Sequence, residues 1–142
     1  MKIYFSGSIR GSPGDRELYR LLIRHLSTHG RVLTENSFSY LPEDENSLDE
    51  KQIWERDMNW IREADVLVAE VSAPSHGVGY EVAWARGFGK SVLCLHKPEE
   101  GRKPSAMLLG DPKLTIREYE DAYGACDIID EWLQENKPED RG

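Results

Sequence analysis

The stretch VLVAEVSAPSHGVGYEVAWARGFGKSVLCL, residues 66–95, contains a strand, a helix and a second strand in succession. Its two ends, 66–69 and 92–95, are short apolar runs typical of strands buried on both faces of a parallel sheet. Between them, apolar residues recur at helical spacing and predict a helix from 78 to about 88. Two strands joined through a helix indicate a parallel sheet that is covered by helices.

The same alternation continues on both sides of this unit. Residues 3–5 predict another strand, and 31–34 and 114–116 are weaker candidates. Apolar spacing predicts further helices over 15–29, 50–64 and 121–134. We therefore predict a single α/β domain over 1–135, a Rossmann- or flavodoxin-like three-layer sandwich with a five-stranded parallel sheet. A disordered polar tail is predicted over 136–142.

Composition restricts the class of function. The formal net charge of −8 opposes nucleic-acid binding. No signal peptide and no run of about 20 apolar residues is present, so we predict a cytoplasmic protein, or a nuclear one in a eukaryote. Cys94 and Cys126 are interpreted as buried, reduced thiols. The four histidines show no metal-ligand spacing, and we predict neither a metal nor a cofactor.

The loop GSIRGSPG (7–14), which follows the first predicted strand, has the character of a phosphate-binding loop. Gly7 lets backbone N–H groups approach an anion, Ser8 adds a hydroxyl, and Arg10 adds a fork of donors. The glycine spacing fits neither the dinucleotide fingerprint nor the Walker A motif. An ordinary strand–helix turn that contains an arginine is the alternative. The polar segment 35–49 is either a lid or, as we favour, an unconstrained excursion.

Two carboxylates occupy positions where apolar residues are expected. Glu81 falls on the apolar stripe of its helix, and we place it in the first turn, where the helix N-terminus would keep it ionised. A residue that only caps the helix is the alternative. Asp57 interrupts the apolar row of an earlier helix, and an ion pair with Arg56 or Arg62 is the alternative there. Two carboxylates facing one pocket suit cleavage of a glycosidic bond, and Tyr4 can add a phenol.

Five segments in order along the chain carry a resemblance to a known family: IYFSGSIRG (3–11), VLTE (32–35), RDMNWIREADVLVAEV (56–71), PSHGVGYE (74–81) and GRKPSAM (101–107). Together they resemble the 2′-deoxynucleoside 5′-phosphate N-hydrolase family, also called Rcl, in the nucleoside 2-deoxyribosyltransferase-like superfamily. The likeness extends over nearly the whole chain. His76 and the 35–49 segment depart from the family pattern, which leaves the base preference open.

The resemblance implies a hydrolase that converts 2′-deoxynucleoside 5′-monophosphates to a free nucleobase and 2-deoxyribose 5-phosphate. It implies Glu81 as the nucleophile of a covalent glycosyl–enzyme ester, Asp57 as a general acid/base or positioning group, and Tyr4 as a third catalytic residue. It also implies a homodimer with shared active sites, in which Ser105 reaches the phosphate bound by the partner and Met107 lies near the interface. The implied substrate-binding residues are Gly7, Ser8, Ile9, Arg10, Gly11, Ser75, Gly77, Ser105 and Met107.

Three alternatives stay open from the sequence. A nucleoside 2-deoxyribosyltransferase would exchange bases instead of hydrolysing the bond. A ribonucleotide N-glycosidase of the CMP type would accept the 2′-hydroxyl. A non-enzymatic nucleotide-binding module is the third, and the carboxylates argue against it, because a binding protein gains nothing from burying acids beside an anion.

Overall fold

Strands and helices alternate along the computed structural model, which describes residues 1–8, 15–35 and 48–138. In chain order the elements are β1 (Lys2–Ser6), α1 (Arg16–Leu26), β2 (Arg31–Val32), α2 (Glu50–Glu63), β3 (Val66–Glu70), α3 (His76–Gly87), β4 (Ser91–His96), α4 (Ala106–Leu109), β5 (Thr115–Glu118) and α5 (Ala122–Glu135). The five predicted strands and the four longer helices are confirmed. The short helix α4 was not predicted.

The five strands form one parallel sheet in the order β2-β1-β3-β4-β5. The chain moves outward from β1 to β2 and then returns to place β3 on the other side of β1. Ile3 consequently pairs with both Val32 and Val66. The reversal creates a switch point at the carboxyl ends of β1 and β3, where ligands bind in open α/β sheets. The predicted α/β fold is confirmed.

Helices cover both faces of the sheet. Side chains alternate along each strand, so apolar residues of one strand point to both helix layers. Ile3 and Phe5 face the layer formed by α1 and α5, where they belong to the first apolar core. Tyr4 belongs to the second core, with α2 and α3. Cys94 is buried and Cys126 is partly buried, both as free thiols.

Side-chain caps fix where the helices begin and end. Asp15 accepts a hydrogen bond from Leu18 N at the start of α1, and Asp49 forms a capping box at the start of α2. Helix α1 ends at Leu26, three residues before the predicted end, where Ser27 Oγ donates to the Ile23 carbonyl. Helix α5 ends at Glu135, and residues 139–142 of the predicted tail lie outside the described part. Within that part, no helix has the length and apolarity to cross a membrane.

Candidate active site

The phenol of Tyr4 and the carboxyl group of Glu81 meet between the sheet and α3. Tyr4 comes from the central strand β1 and is buried, and its hydroxyl donates a hydrogen bond to Oε2 of Glu81. The two residues are 77 positions apart in the chain. The fold thus brings together two of the three residues for which the sequence predicts a catalytic role.

Glu81 lies in the second turn of α3, which corrects the expectation that it occupies the first turn. The helix begins at His76, and its first turn contains no acidic residue. The field of a helix terminus falls off within one turn, so it does not hold Glu81 in the ionised form. A different environment therefore sets the protonation of this carboxyl group.

Burial of the carboxyl group raises the pKa of Glu81 to about 8. The hydrogen bond from Tyr4 opposes this shift, the negative charge of Asp57 adds to it, and Arg56 and Ser6 lower the pKa. The residue as a whole is only half-buried, but its carboxyl end is the part that contacts the enclosed phenol. In the free protein near neutral pH, the Glu81 carboxyl group consequently holds a proton for most of the time.

Tyr4 stays a neutral donor across the physiological range. Burial is the largest effect that raises the pKa of its phenol, and the charges of Glu81 and Asp57 raise it further. Arg56 acts in the opposite direction. The phenol hydrogen is therefore available to the Glu81 carboxylate whenever that group ionises.

Asp57 lies on α2 beside these two residues, and it forms the ion pair that the sequence offered as the alternative. Arg56 Nε donates to Asp57 Oδ1 at 3.0 Å, and both side chains are about a quarter exposed. The pair does not remove Asp57 from the site, because its charge raises the pKa of both Tyr4 and Glu81. The sequence analysis named Arg56 only as a possible ion-pair partner of Asp57. Its side chain also lies over the Trp60 ring at 4.8 Å, and its charge lowers the pKa of Glu81.

Ser6 is a residue that the sequence analysis missed. It follows Tyr4 by two positions on β1 and is 1% exposed. Its Oγ atom is buried and has no hydrogen-bond partner within the described ranges, yet it lies close enough to Glu81 to lower the pKa of that carboxyl group. Strand alternation puts residues 4 and 6 on one face, so the sequence carried a signal for this position.

The start of the predicted phosphate loop is packed against Tyr19. A Cβ atom at Gly7 would lie 2.9 Å from the Tyr19 ring, so no larger residue fits at this position. Ser8 is buried, and its N–H donates to the Tyr19 hydroxyl at 3.1 Å. Ile9, Arg10 and Gly11 lie outside the described residues, as does most of the 35–49 segment.

Ser75 and Gly77 lie at the N-terminus of α3, after the carboxyl end of β3. Ser75 Oγ accepts a hydrogen bond from Val78 N at 3.2 Å and thereby caps the helix. Its own O–H hydrogen is left to donate to an anion. A Cβ atom at Gly77 would meet only Ser75 Oγ, at 3.8 Å, so space alone does not require glycine there.

Ser105 and Met107 lie at the surface on α4. Ser105 Oγ accepts a hydrogen bond from Met107 N at 3.1 Å, and the Met107 side chain is 81% exposed. In the described part of the chain, no hydrogen bond joins Ser105 to Tyr4, Asp57 or Glu81. Within one chain these two residues are therefore not part of the Tyr4–Glu81 group.

Exposed aromatic side chains form a stripe along α3 and continue onto α2. Tyr80, Trp84 and Phe88 lie one turn apart, with neighbouring ring centroids at 6.1 and 5.5 Å, and each is more than a third exposed. Trp54 Nε1 donates to the Tyr80 hydroxyl at 3.2 Å. An apolar surface of this kind is typical of a contact with another protein or a ligand.

A cavity of about 490 Å³ opens near the carboxyl ends of β3 and β4. Its walls include Tyr19, Lys97, Arg102 and the buried carboxylate of Glu70. This carboxylate accepts hydrogen bonds from Ser72 N at 2.6 Å and from the Tyr119 hydroxyl at 2.9 Å. Glu70 is thus already hydrogen-bonded. The cavity contains none of Tyr4, Asp57 and Glu81, so we do not assign the reaction to it.

Comparisons with known proteins agree on one family. The family model described as nucleoside 2-deoxyribosyltransferase matches residues 3–114. A human protein named 5-hydroxymethyl-dUMP N-hydrolase is 37% identical over 142 residues, which cover 96% of this chain and 81% of the human protein. A Trichoplax adhaerens protein, provisionally named 2′-deoxynucleoside 5′-phosphate N-hydrolase 1, is 48% identical over 108 residues, which cover 76% of this chain and 74% of that protein.

Among solved structures, a CMP N-glycosidase of Clostridium botulinum matches with a TM-score of 0.67. The match covers 94% of this chain and 100% of that chain at 20% sequence identity. At such an identity the likeness concerns the fold alone.

Proposed function

Because the chain belongs to the nucleoside 2-deoxyribosyltransferase family, we propose that it hydrolyses the N-glycosidic bond of 2′-deoxynucleoside 5′-monophosphates. The products are a free nucleobase and 2-deoxyribose 5-phosphate. The observation that carries this proposal is the contact between Tyr4 and Glu81, with Asp57 beside them, at the switch point of the sheet. The names of the relatives support the same reaction.

Glu81 acts as the nucleophile in this proposal. Its ionised carboxylate attacks the anomeric carbon, and the bond to the base breaks with its electron pair passing to the base nitrogen. Attack requires that Glu81 first lose its proton to the solvent, and the Tyr4 phenol, the Ser6 hydroxyl and Arg56 all favour the ionised form. Water then hydrolyses the glycosyl ester and regenerates the free carboxyl group.

Asp57 has the role of general acid/base or positioning group. Its carboxyl group is held by Arg56 and is coupled to Glu81 by charge, so the two carboxyl groups titrate in each other's field. A group in this position either protonates the departing base or orients the water that attacks the ester. The proposed pair thus has the division of roles found in retaining glycosidases.

The 5′-phosphate is bound by donors at the same edge of the sheet. Ser75 has a free O–H hydrogen at the N-terminus of α3, where the helix also favours an anion. Ser8 follows β1 directly, and Arg10 adds the positive charge that the acidic chain needs to hold a phosphate. Gly7, Ile9, Gly11 and Gly77 complete the proposed loop around the nucleotide.

The site is completed in a homodimer, in which Ser105 of one protomer donates to the phosphate in the other site and Met107 lies at the interface. Two features of the surface support this part. Met107 is 81% exposed, and the aromatic stripe of α3 is a second exposed apolar surface, since Tyr80, Trp84 and Phe88 are each more than a third exposed. A twofold interface over these surfaces would cover both. The cytoplasmic location expected from the sequence belongs to this proposal as well.

Product analysis tests the reaction. The protein is incubated with dGMP, 5-hydroxymethyl-dUMP, GMP, CMP and deoxyguanosine, with and without a second free base, and the products are separated by chromatography. We expect base release from deoxynucleoside monophosphates and no transfer to the second base. Base exchange would identify a transferase, release from CMP would identify a ribonucleotide glycosidase, and no release from any substrate would favour a binding module. Mass spectrometry of quenched enzyme should find a deoxyribosyl phosphate adduct on Glu81, and Glu81→Gln serves as the control.

A further inference from the structure

Two histidines and an aspartate converge where α1 packs on α5, on the sheet face opposite to the Tyr4–Glu81 contact. His25 lies in the last turn of α1, His29 follows one turn later, and Asp130 lies on α5. The Nε2 atoms of both histidines are 2.6 Å from the same oxygen, Oδ1 of Asp130. The three potential ligand atoms lie within 4.8 Å of one another.

The backbone that carries this His25–His29–Asp130 cluster is well supported. Below the cluster, Leu22 and Leu26 of α1 pack into the same core as Ile129 and Leu133 of α5, all four fully buried. The turn that carries His29 is held by a hydrogen bond of 2.9 Å from its N–H to the carbonyl of Leu26. Ligands on rigid, packed elements form a preorganised site.

Without a metal ion, hydrogen bonds hold the three side chains together. A carboxylate is an acceptor only, so both imidazole rings must point an N–H group at one oxygen. The side chains of His25 and His29 are about a quarter exposed and that of Asp130 about half, and contacts as exposed as these stabilise a fold little. An aspartate side chain is ordinarily ionised near neutral pH, so the carboxylate of Asp130 is available as a ligand.

The donor set matches a borderline divalent metal. Imidazole nitrogen binds Zn²⁺ at about 2.0–2.1 Å and carboxylate oxygen at about 2.0–2.2 Å, so ligand atoms in a tetrahedral site are roughly 3.4 Å apart. Each nitrogen would need to move away from the Asp130 oxygen by less than about 1 Å, which partly exposed side chains can do. Because the three side chains are partly exposed, a solvent water can serve as the fourth ligand.

We propose that His25, His29 and Asp130 bind one divalent transition-metal ion of the Zn²⁺ class. The ion replaces the two Nε2 hydrogens, which leave as protons or move to Nδ1, and it links α1 to α5. The site stabilises the fold and takes no part in cleavage of the glycosidic bond, since the sheet lies between it and Glu81. His25 and His29 are four residues apart, a spacing found among metal ligands that the sequence analysis passed over, and the third ligand, Asp130, is 101 residues from His29.

The test is a metal titration of tag-free protein that has been stripped with a chelator and exchanged into chelator-free buffer. Co²⁺ is added first, because four-coordinate Co²⁺ gives visible absorption bands that report its geometry, and Zn²⁺ is then added to displace it. We expect one equivalent to bind, and the melting temperature of the stripped protein to rise on addition of Zn²⁺. His25→Ala, His29→Gln and Asp130→Asn should each weaken binding by at least about tenfold.

Two variants serve as matched controls. Asp127→Asn removes the same charge from an exposed position on the same helix, and His76→Ala removes an exposed histidine from α3. Both should bind one equivalent like the wild type. Circular dichroism of the metal-free variants checks that each is folded. The proposal is overturned if the wild type shows no saturable binding, or if His25→Ala and His29→Gln bind as tightly as Asp127→Asn.

Discussion

Replacement of Glu81 by glutamine should make the folded protein more stable, and the gain should grow with pH. Burial raises the pKa of Glu81 from its ordinary 4.5 to about 8 in the folded chain. The folded protein therefore holds the Glu81 proton more tightly than the unfolded chain does. Stability is lost as pH rises from 4.5 to about 8, and the loss is constant above that range. Glutamine cannot ionise, so Glu81→Gln avoids this loss.

The size of the effect follows from the shift. The rise of the Glu81 pKa from 4.5 to about 8 corresponds to roughly 5 kcal/mol in full. About 4 kcal/mol of this stability is lost as the pH rises from 5 to 9. Because the residue is half-buried and can relax toward water, we expect about 2–4 kcal/mol. The oxygen of glutamine can still accept the hydrogen bond from Tyr4, so this contact need not be lost.

Urea denaturation, followed by far-UV circular dichroism, measures the free energy of unfolding of each protein at pH 5, 6, 7, 8 and 9. The difference in unfolding free energy between Glu81→Gln and wild type is plotted against pH. Glu131→Gln is the control, because it makes the same chemical change at an exposed position on α5. Its difference should stay within about 0.5 kcal/mol over the range. A Glu81→Gln curve as flat as the Glu131→Gln curve would show that Glu81 is not desolvated and would refute the reasoning.

Three further predictions concern activity. In the proposed mechanism Glu81 attacks as an anion, so the kcat/KM for dGMP should rise with pH and reach half of its maximum near pH 8. Asp57→Asn should move this rise to lower pH, because it removes a charge that raises the Glu81 pKa, and an unmoved profile would contradict the coupling. Ser6→Ala should shift the same rise to higher pH, because the Ser6 hydroxyl lowers the pKa of Glu81, and Ser6→Cys should fall between the two. A Ser6→Ala profile that coincides with that of the wild type would place Ser6 outside the site. When the inactive variants Glu81→Ala and Ser105→Glu are mixed in equal amounts and re-equilibrated, half of the dimers contain one chain of each variant, and each such dimer has one intact site. The mixture should therefore recover up to about a quarter of wild-type activity. A mixture that stays inactive would place Ser105 outside the partner's site.

The fold could be predicted closely, because the residues that indicate each strand or helix lie within that element. Apolar runs mark β1, β3 and β4, which are buried on both faces, and the spacing of apolar residues marks the helices. The start of α3 was less accurate, because Ser75 caps the helix and α3 begins at His76, two residues before the predicted start. That difference moved Glu81 from the first turn to the second and removed the proposed effect of the helix terminus. Helix α4 is a single turn and carries no periodic signal.

The site was predictable only where its residues stand out from their surroundings. Asp57 and Glu81 interrupt apolar patterns, and Tyr4 belongs to the motif that carries the family resemblance. Ser6 does not stand out in this way, because small polar residues are common at the end of a strand. Its importance depends on the tertiary position of Glu81 and on the lack of any other partner for its hydroxyl in the described part of the chain. The positions of side chains from distant segments therefore limit what sequence reasoning can recover.

In the proposed reaction, the raised pKa of Glu81 also accounts for how so acidic a chain can accept an anionic substrate. With a net charge of −8, an ionised carboxylate beside the phosphate site would add to the repulsion that the substrate meets. A protonated Glu81 adds no charge while the nucleotide enters. As the glycosidic bond lengthens, positive charge develops on the sugar next to the carboxyl group, and this charge favours the anion. The residue is thus neutral when the phosphate must bind and negative when the sugar becomes cationic, and the desolvation that makes this possible is the same one that lowers stability above pH 4.5.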